Sequence, residues 1–173
     1  MGLMLPGEKC YIFLKSLKDE FVFTNYSLIF SDGESVNSPK RALSRTNWNE
    51  GLIQNVKMNT AGLVDLDVDI SFDFVQHWRI ELKKEEVENA KLVFKCLDVI
   101  SNRQLMNKQL LEMEMLARNN NAGMNVHLLT GADAVNFNDS VIESGSKWAA
   151  LTVEKCMPRD YGAEFESVLI KRL

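Results

Sequence analysis

Lys18-Asp-Glu-Phe-Val-Phe-Thr-Asn-Tyr-Ser-Leu-Ile-Phe-Ser-Asp-Gly33 decides the fold, and it reads as a β-hairpin. Phe21, Val22 and Phe23 form one β-prone run and Leu28, Ile29 and Phe30 a second, with turn formers at Thr24 to Ser27. A two-residue turn at Asn25-Tyr26 pairs Phe21 with Phe30 and Phe23 with Leu28 on one face, leaving Val22 and Ile29 on the other. Asn accepts the left-handed conformation of a primed turn, but Tyr26 suits it poorly, so a four-residue loop is the alternative. Each Phe would bury roughly 150–250 Å². The hairpin therefore belongs to a core.

Outward from it, further strands follow. Pro6-Gly7 turns the chain into a strand over Lys9 to Leu17, in which Cys10, Ile12 and Leu14 share the core parity. After the hairpin, Ser31 to Pro39 is a polar loop, the one expected to move most. Lys40 to Trp48 and Leu52 to Asn59 read as strands separated by a turn at Asn49 to Gly51. Leu66, Val68, Ile70, Phe72 and Phe74 then alternate with Asp65, Asp67, Asp69, Ser71 and Asp73, one face for a core and one for water. Trp78, Ile80 and Leu82 continue the alternation. A three-residue turn at Val75 to His77 would set Asp73 opposite Arg79 and Asp69 opposite Lys83.

From Lys84 the period becomes helical. Val87, Ala90, Val93, Phe94, Leu97 and Ile100 make one stripe, and Met106, Leu110, Met113 and Ala117 carry the pattern to Arg118 without Pro or Gly. Such a helix is about 50 Å long, more than a small barrel needs, so its second half must bury its stripe elsewhere. Asn119 to Gly123 reads as its end. Ser140-Val-Ile-Glu143 reads as a capping box opening another helix, interrupted by Gly145 and ended by Pro158. Asp160 is a candidate cap for a last helix carrying Tyr161, Phe165, Val168 and Leu169. These helices are expected to fold back on the long helix or to dock on another copy.

Leu5-Pro6-Gly7-Glu8, Lys18-Asp19, Phe21-Val-Phe-Thr-Asn25, Thr60-Ala-Gly62 and Asp65-Leu-Asp67 together resemble the bacterial-type pleckstrin-homology-like domain over about residues 5–100. The resemblance implies an α+β, PH-like fold: a seven-stranded, antiparallel, partly open β-barrel capped by a long helix. The domains expected are then 1–101, barrel with capping helix, and 102–173, a helical extension. The resemblance also implies a possible phosphoinositide site around the first two strands, where this chain offers Lys15 and Lys18 with Asp19 and Glu20 immediately after.

Composition narrows the chemistry. With 46% hydrophobic residues the chain is no disordered segment. A net charge of −4 argues against a general nucleic-acid or anionic-membrane binder. Cys10, Cys96 and Cys156 are odd in number and widely spaced, which suits a reducing compartment and no disulfide framework. With no apolar run of membrane length and no signal-peptide pattern at the start, the expected location is cytoplasmic. There is no zinc-ligand spacing and no glycine-rich phosphate loop, and the aspartates of the alternating strand project in parallel rather than converge on a cation. No catalytic residue, metal or cofactor is expected.

What remains is surface. The Met-rich run with Met106, Leu110, Met113 and Leu116 is either core beneath the C-terminal helices or an interaction face. The function expected is thus a non-catalytic protein-interaction or scaffold module, partnered by another protein or by itself. A peripheral membrane adaptor reading phosphoinositides is the alternative, and nucleic acid is not an expected partner.

Overall fold

A computed structural model of the chain describes residues 4–16, 18–33, 41–60, 68–125 and 132–170. Seven strands form two antiparallel sheets. The first contains β1 (Cys10–Lys15), β2 (Glu20–Thr24), β3 (Ser27–Gly33) and β4 (Arg41–Asn47) in sequential order. The second contains β5 (Gln54–Thr60), β6 (Val68–Phe74) and β7 (Gln76–Leu82). The strands do not close into a barrel. Short 3-10 turns at Trp48–Glu50 and Lys84–Glu86 precede β5 and the long helix α1 (Val87–Asn125). Two further helices follow, α2 (Ala132–Cys156) and α3 (Gly162–Leu169).

The opening hairpin pairs as its pattern requires, Phe21 with Phe30, Val22 with Ile29 and Phe23 with Leu28. Its connection is the four-residue alternative, Thr24 to Ser27, and neither Asn25 nor Tyr26 takes a positive φ. The Thr24 hydroxyl supplies what a primed turn would, accepting the Ser27 N–H at 2.8 Å.

Other expectations change in detail. Cys10 is exposed, not core-facing, because a bulge between Cys10 and Ile12 shifts the β1–β2 register by one residue and turns the thiol outward. β3 extends through Gly33, so Ser31 to Gly33 is strand; the rest of that polar stretch lies outside the described residues, as do Asp65 and Asp67. The β6–β7 connection is a single residue, Val75, at φ +60°. Asp73 therefore sits opposite His77 and Asp69 opposite Glu81, a slip of two residues that keeps every side chain on its expected face. Arg79 still reaches Asp69 diagonally, at 2.8 Å.

The helices also run past their sequence signals. α1 continues through the Asn-rich stretch to Asn125, and α2 begins at Ala132, with Ser140 inside it rather than at its cap.

The chain divides into two compact units. One comprises residues 1–103 and 159–173, the other residues 104–158. In the first, Ala90, Val93, Cys96, Leu97 and Ile100 of α1 are buried with the inward residues of both sheets. The core of this unit also contains Tyr161 and Phe165, so the last helix belongs to the core of the sheets and the first part of α1 and not to the extended half of the long helix, where it was expected. Phe165 stacks on Tyr11, with centroids 5.0 Å apart, and lies 6.3 Å from Trp48. Polar contacts fix the approach. The Tyr11 hydroxyl donates to Glu166 Oε1 (2.8 Å), the Tyr161 N–H donates to Asn25 O (2.9 Å), and Asn25 Nδ2 donates to Asp160 Oδ2 (3.1 Å). Asp160 also accepts the Gly162 N–H at 2.7 Å, although the N-cap position of α3 is Tyr161, so Asp160 stands one residue before the cap expected of it. A Cβ at Gly162 would lie 3.0 Å from both the Tyr11 hydroxyl and Asp160 Oδ1, so a side chain there would press on the contact between the helix start and β1.

Candidate protein-interaction surface

Residues 104–158 form a helical hairpin from the second part of α1 and the whole of α2. Glu114 and Arg118, one turn apart on α1, identify its inner face. Glu114 accepts from Thr152 Oγ1 (3.2 Å) and Lys155 Nζ (3.4 Å), while Arg118 donates to Gly145 O (3.3 Å) and lies over the Trp148 ring at 4.7 Å. Gly145 leaves the space Arg118 occupies, since a Cβ there would lie 2.3 Å from its guanidinium. At about 100° per residue, Gln104, Asn107 and Leu111 share this face. Gln104, Asn107 and Thr152 are buried.

The opposite face of α1 is apolar and bare. Met106, Leu110, Met113 and Leu116, the residues singled out in the sequence, are 57%, 44%, 68% and 67% exposed. Leu105 joins them, half-exposed, and Gln109 and Ala117 complete the strip. These seven residues fall within an arc of about 140° that contains no charge. Lys108 and Glu112, paired at 4.0 Å, border it on one side. The amphipathicity is thus reversed: polar and charged side chains meet the partner helix while Leu and Met face outward. The sequence pattern showed the apolar strip. It did not show the polar seam, although Gln104, Asn107, Leu111, Glu114 and Arg118 recur at steps of three and four and could have been read.

No comparable chemistry appears elsewhere among the described residues. They include no cluster of three metal-capable side chains and no helix long and apolar enough to cross a membrane. An open groove of about 580 Å³ on the hairpin is lined by Glu114, Ala117, Arg118, Ser144 and Trp148, and its two charged side chains already engage Thr152, Lys155, Gly145 and Trp148. A smaller one, about 310 Å³, lies beside the β6–β7 turn, where Asp73 accepts from Asn55 Nδ2 (2.6 Å) and contacts His77 Nδ1 (2.6 Å). Those two contacts hold the Asp73 carboxyl below the usual range.

The Cys96 and Cys10 thiols and the Tyr11 phenol are held toward their protonated forms. Burial pushes Cys96 up to about 12 and also raises Cys10, whose Sγ lies 3.9 Å from Ile12 O. Tyr11 is raised to about 12 by burial and by its bond to Glu166. Glu8 moves the other way. Burial pushes its carboxyl up, but Arg45, Thr24, the Leu5 N–H and Ser27 outweigh that and bring it to about 2. Arg45 donates to both Glu8 oxygens at 2.9 Å, and the Glu8 side chain is fully buried. This network ties the Pro6-Gly7 turn to β2, β3 and β4. It is scaffolding.

Two antiparallel sheets with a long helix packed in their core define a domain class. The bacterial PH domain family matches residues 1–101, and the chain belongs to it. The chain is 31% identical over 167 residues to the uncharacterised protein YvbH of Bacillus subtilis (strain 168), covering 94% of this chain and 81% of that one. A crystal structure of a PH-domain-containing protein from Exiguobacterium sibiricum 255-15 superposes with a TM-score of 0.83 at 29% identity. It covers 95% of this chain and 88% of that one. A pleckstrin homology domain from Shewanella amazonensis SB2B gives a TM-score of 0.43 at 22% identity, covering 53% of this chain and 85% of that one. The similarity to the first two continues well past residue 101, through the helical hairpin.

Proposed function

We propose that the protein is a non-catalytic interaction module whose helical hairpin associates with a second copy of the chain through the outer face of α1. The observation that supports this is the reversed polarity of residues 104–118. A helix that points Leu and Met at water and Gln, Asn and Glu at its neighbour gains little from its own hairpin and much from being covered. The five exposed Leu and Met side chains present on the order of 500 Å² in one strip, at the upper range for a free monomer.

Two features favour a second copy over a different partner or a lipid surface. Gln109, within the strip, carries both donor and acceptor, so its amide is its own complement across a two-fold axis. The bordering charges are of both signs, so self-pairing meets no uniform repulsion, whereas a lipid-facing helix would present Lys and Arg. Two strips face to face remove on the order of 1,000 Å² from water, the low end for a specific complex, which points to association in the micromolar range.

The test is light scattering on the full chain across a concentration series. Masses rising to a multiple of one chain are expected for the parent. Met113→Glu and Met113→Lys, each at an exposed position that leaves the fold intact, should each remain single chains, and mixing them should restore the higher mass. A parent that stays a single chain at millimolar concentration overturns the reading. Pelleting with phosphoinositide vesicles would replace it with the lipid alternative.

A further inference from the structure

The methionines of this protein are placed unevenly. Among the described residues, Met4, Met106, Met113, Met115 and Met157 are exposed, and four of these five lie in residues 104–158. Met106 and Met113 stand seven residues apart on the uncharged strip, so they share one face two turns apart. Apolar contact alone would be served by Leu, which the strip already uses at 105, 110 and 116. Met differs from Leu in its oxidisable thioether.

We propose that Met106 and Met113 are oxidation sites through which a peroxide-class oxidant releases the assembly, an inference that rests on the self-association above. The sulfur attacks the peroxide, the O–O bond breaks and an S–O bond forms. Sulfur loses two electrons and becomes a sulfoxide, and the peroxide is reduced to water or an alcohol. The product is a bulkier, polar, chiral group in the middle of an otherwise apolar contact, and covering it costs the water that solvates its oxygen in the free chain. Because both sulfurs are open to solvent in the free chain, oxidation acts on that form and traps it.

Met115 is an internal control. It is 51% exposed, close to Met106 at 57%, yet about 200° around the helix from Met113 and therefore off the strip. Its oxidation should be silent.

The experiment treats the full chain with graded hydrogen peroxide, locates sulfoxides by peptide mass spectrometry, and follows association by sedimentation equilibrium. Oxygen gained at Met106 and Met113 should track a loss of affinity of about tenfold or more per sulfoxide. Treatment with methionine sulfoxide reductases should restore the parent affinity. The double variant Met106→Leu with Met113→Leu should associate and keep its affinity through the same dose, whereas Met115→Leu should respond like the parent. Unchanged affinity with both sulfoxides present overturns the inference, as does a double variant that dissociates equally. So does a dose that, at a concentration where the chain is dissociated and all three sulfurs are open to solvent, oxidises Met115 but spares Met106 and Met113. An untreated parent that never associates defeats the underlying reading as well, and the untreated sample tells the two failures apart.

Discussion

Glu8 carries more than its place in a Pro-Gly turn suggests. Its carboxylate is buried, accepts five hydrogen bonds from Arg45, Thr24, Ser27 and the Leu5 N–H, and titrates near 2 in place of 4.5. The folded value is depressed, so the stabilisation is fully present above about 4.5 and is lost as pH falls through 4.5 toward 2. The linkage is about 3 kcal/mol. Urea midpoints at pH 7, 4 and 3 should fall steeply in the parent. In Glu8→Gln they should start lower and vary much less over the same interval. Glu8 could be quoted from the sequence as part of a family motif, but nothing local revealed Arg45, 37 positions away, as its partner. Cys10 was misread for a related reason. Parity along a strand is visible in a sequence, whereas a bulge that resets it depends on the neighbouring strand.

At the scale of elements, alternation was legible and connections were not. Every inward residue of β6 and β7 was identifiable from period two, but the turn between them is two residues shorter than expected, both on the β7 side. It places β-branched Val75 in the left-handed region, at φ +60°. That costs a β-branched residue about 1–2 kcal/mol, and Asn tolerates it better, so Val75→Asn should raise stability by about 0.5–1 kcal/mol in a denaturant titration. α3 is the opposite case. Tyr161 and Phe165 were visible as an apolar stripe, but the sequence carried no sign that they complete a core begun by Tyr11 and Trp48. Phe165→Ala should cost about 3–5 kcal/mol by cavity formation, read as a fall in the urea midpoint. Tyr11→Phe, which keeps the stack and loses only the bond to Glu166, should cost about 1 kcal/mol.

For the whole molecule, the resemblance that reached to about residue 100 captured the class of fold, because family motifs record turns and core positions. It could not capture the route of the chain, which leaves the first unit at Arg103, builds the hairpin, and returns at Arg159. That route governs how association is to be studied. A chain cut at Ser101 removes Tyr161 and Phe165 from the core and so confounds loss of assembly with loss of fold. Single substitutions on the outer strip, such as those at Met113, keep both units intact. The candidate surface was legible as apolar periodicity, while its exposure was not, since a Met-Leu stripe reads the same whether a neighbour covers it or water does.

The return of the chain at Arg159 also bears on how the protein is made. Translation delivers Trp48 and Tyr11 long before Phe165, and the interval from Arg103 to Phe165 is about sixty residues, or roughly 3–12 s at ribosomal speed. Throughout it, the aromatic seat between Tyr11 and Trp48 has no Phe165 to fill it. Closure is thus a late event, granted only to chains translated through their final helix, and a message broken within the hairpin yields a product that never seals.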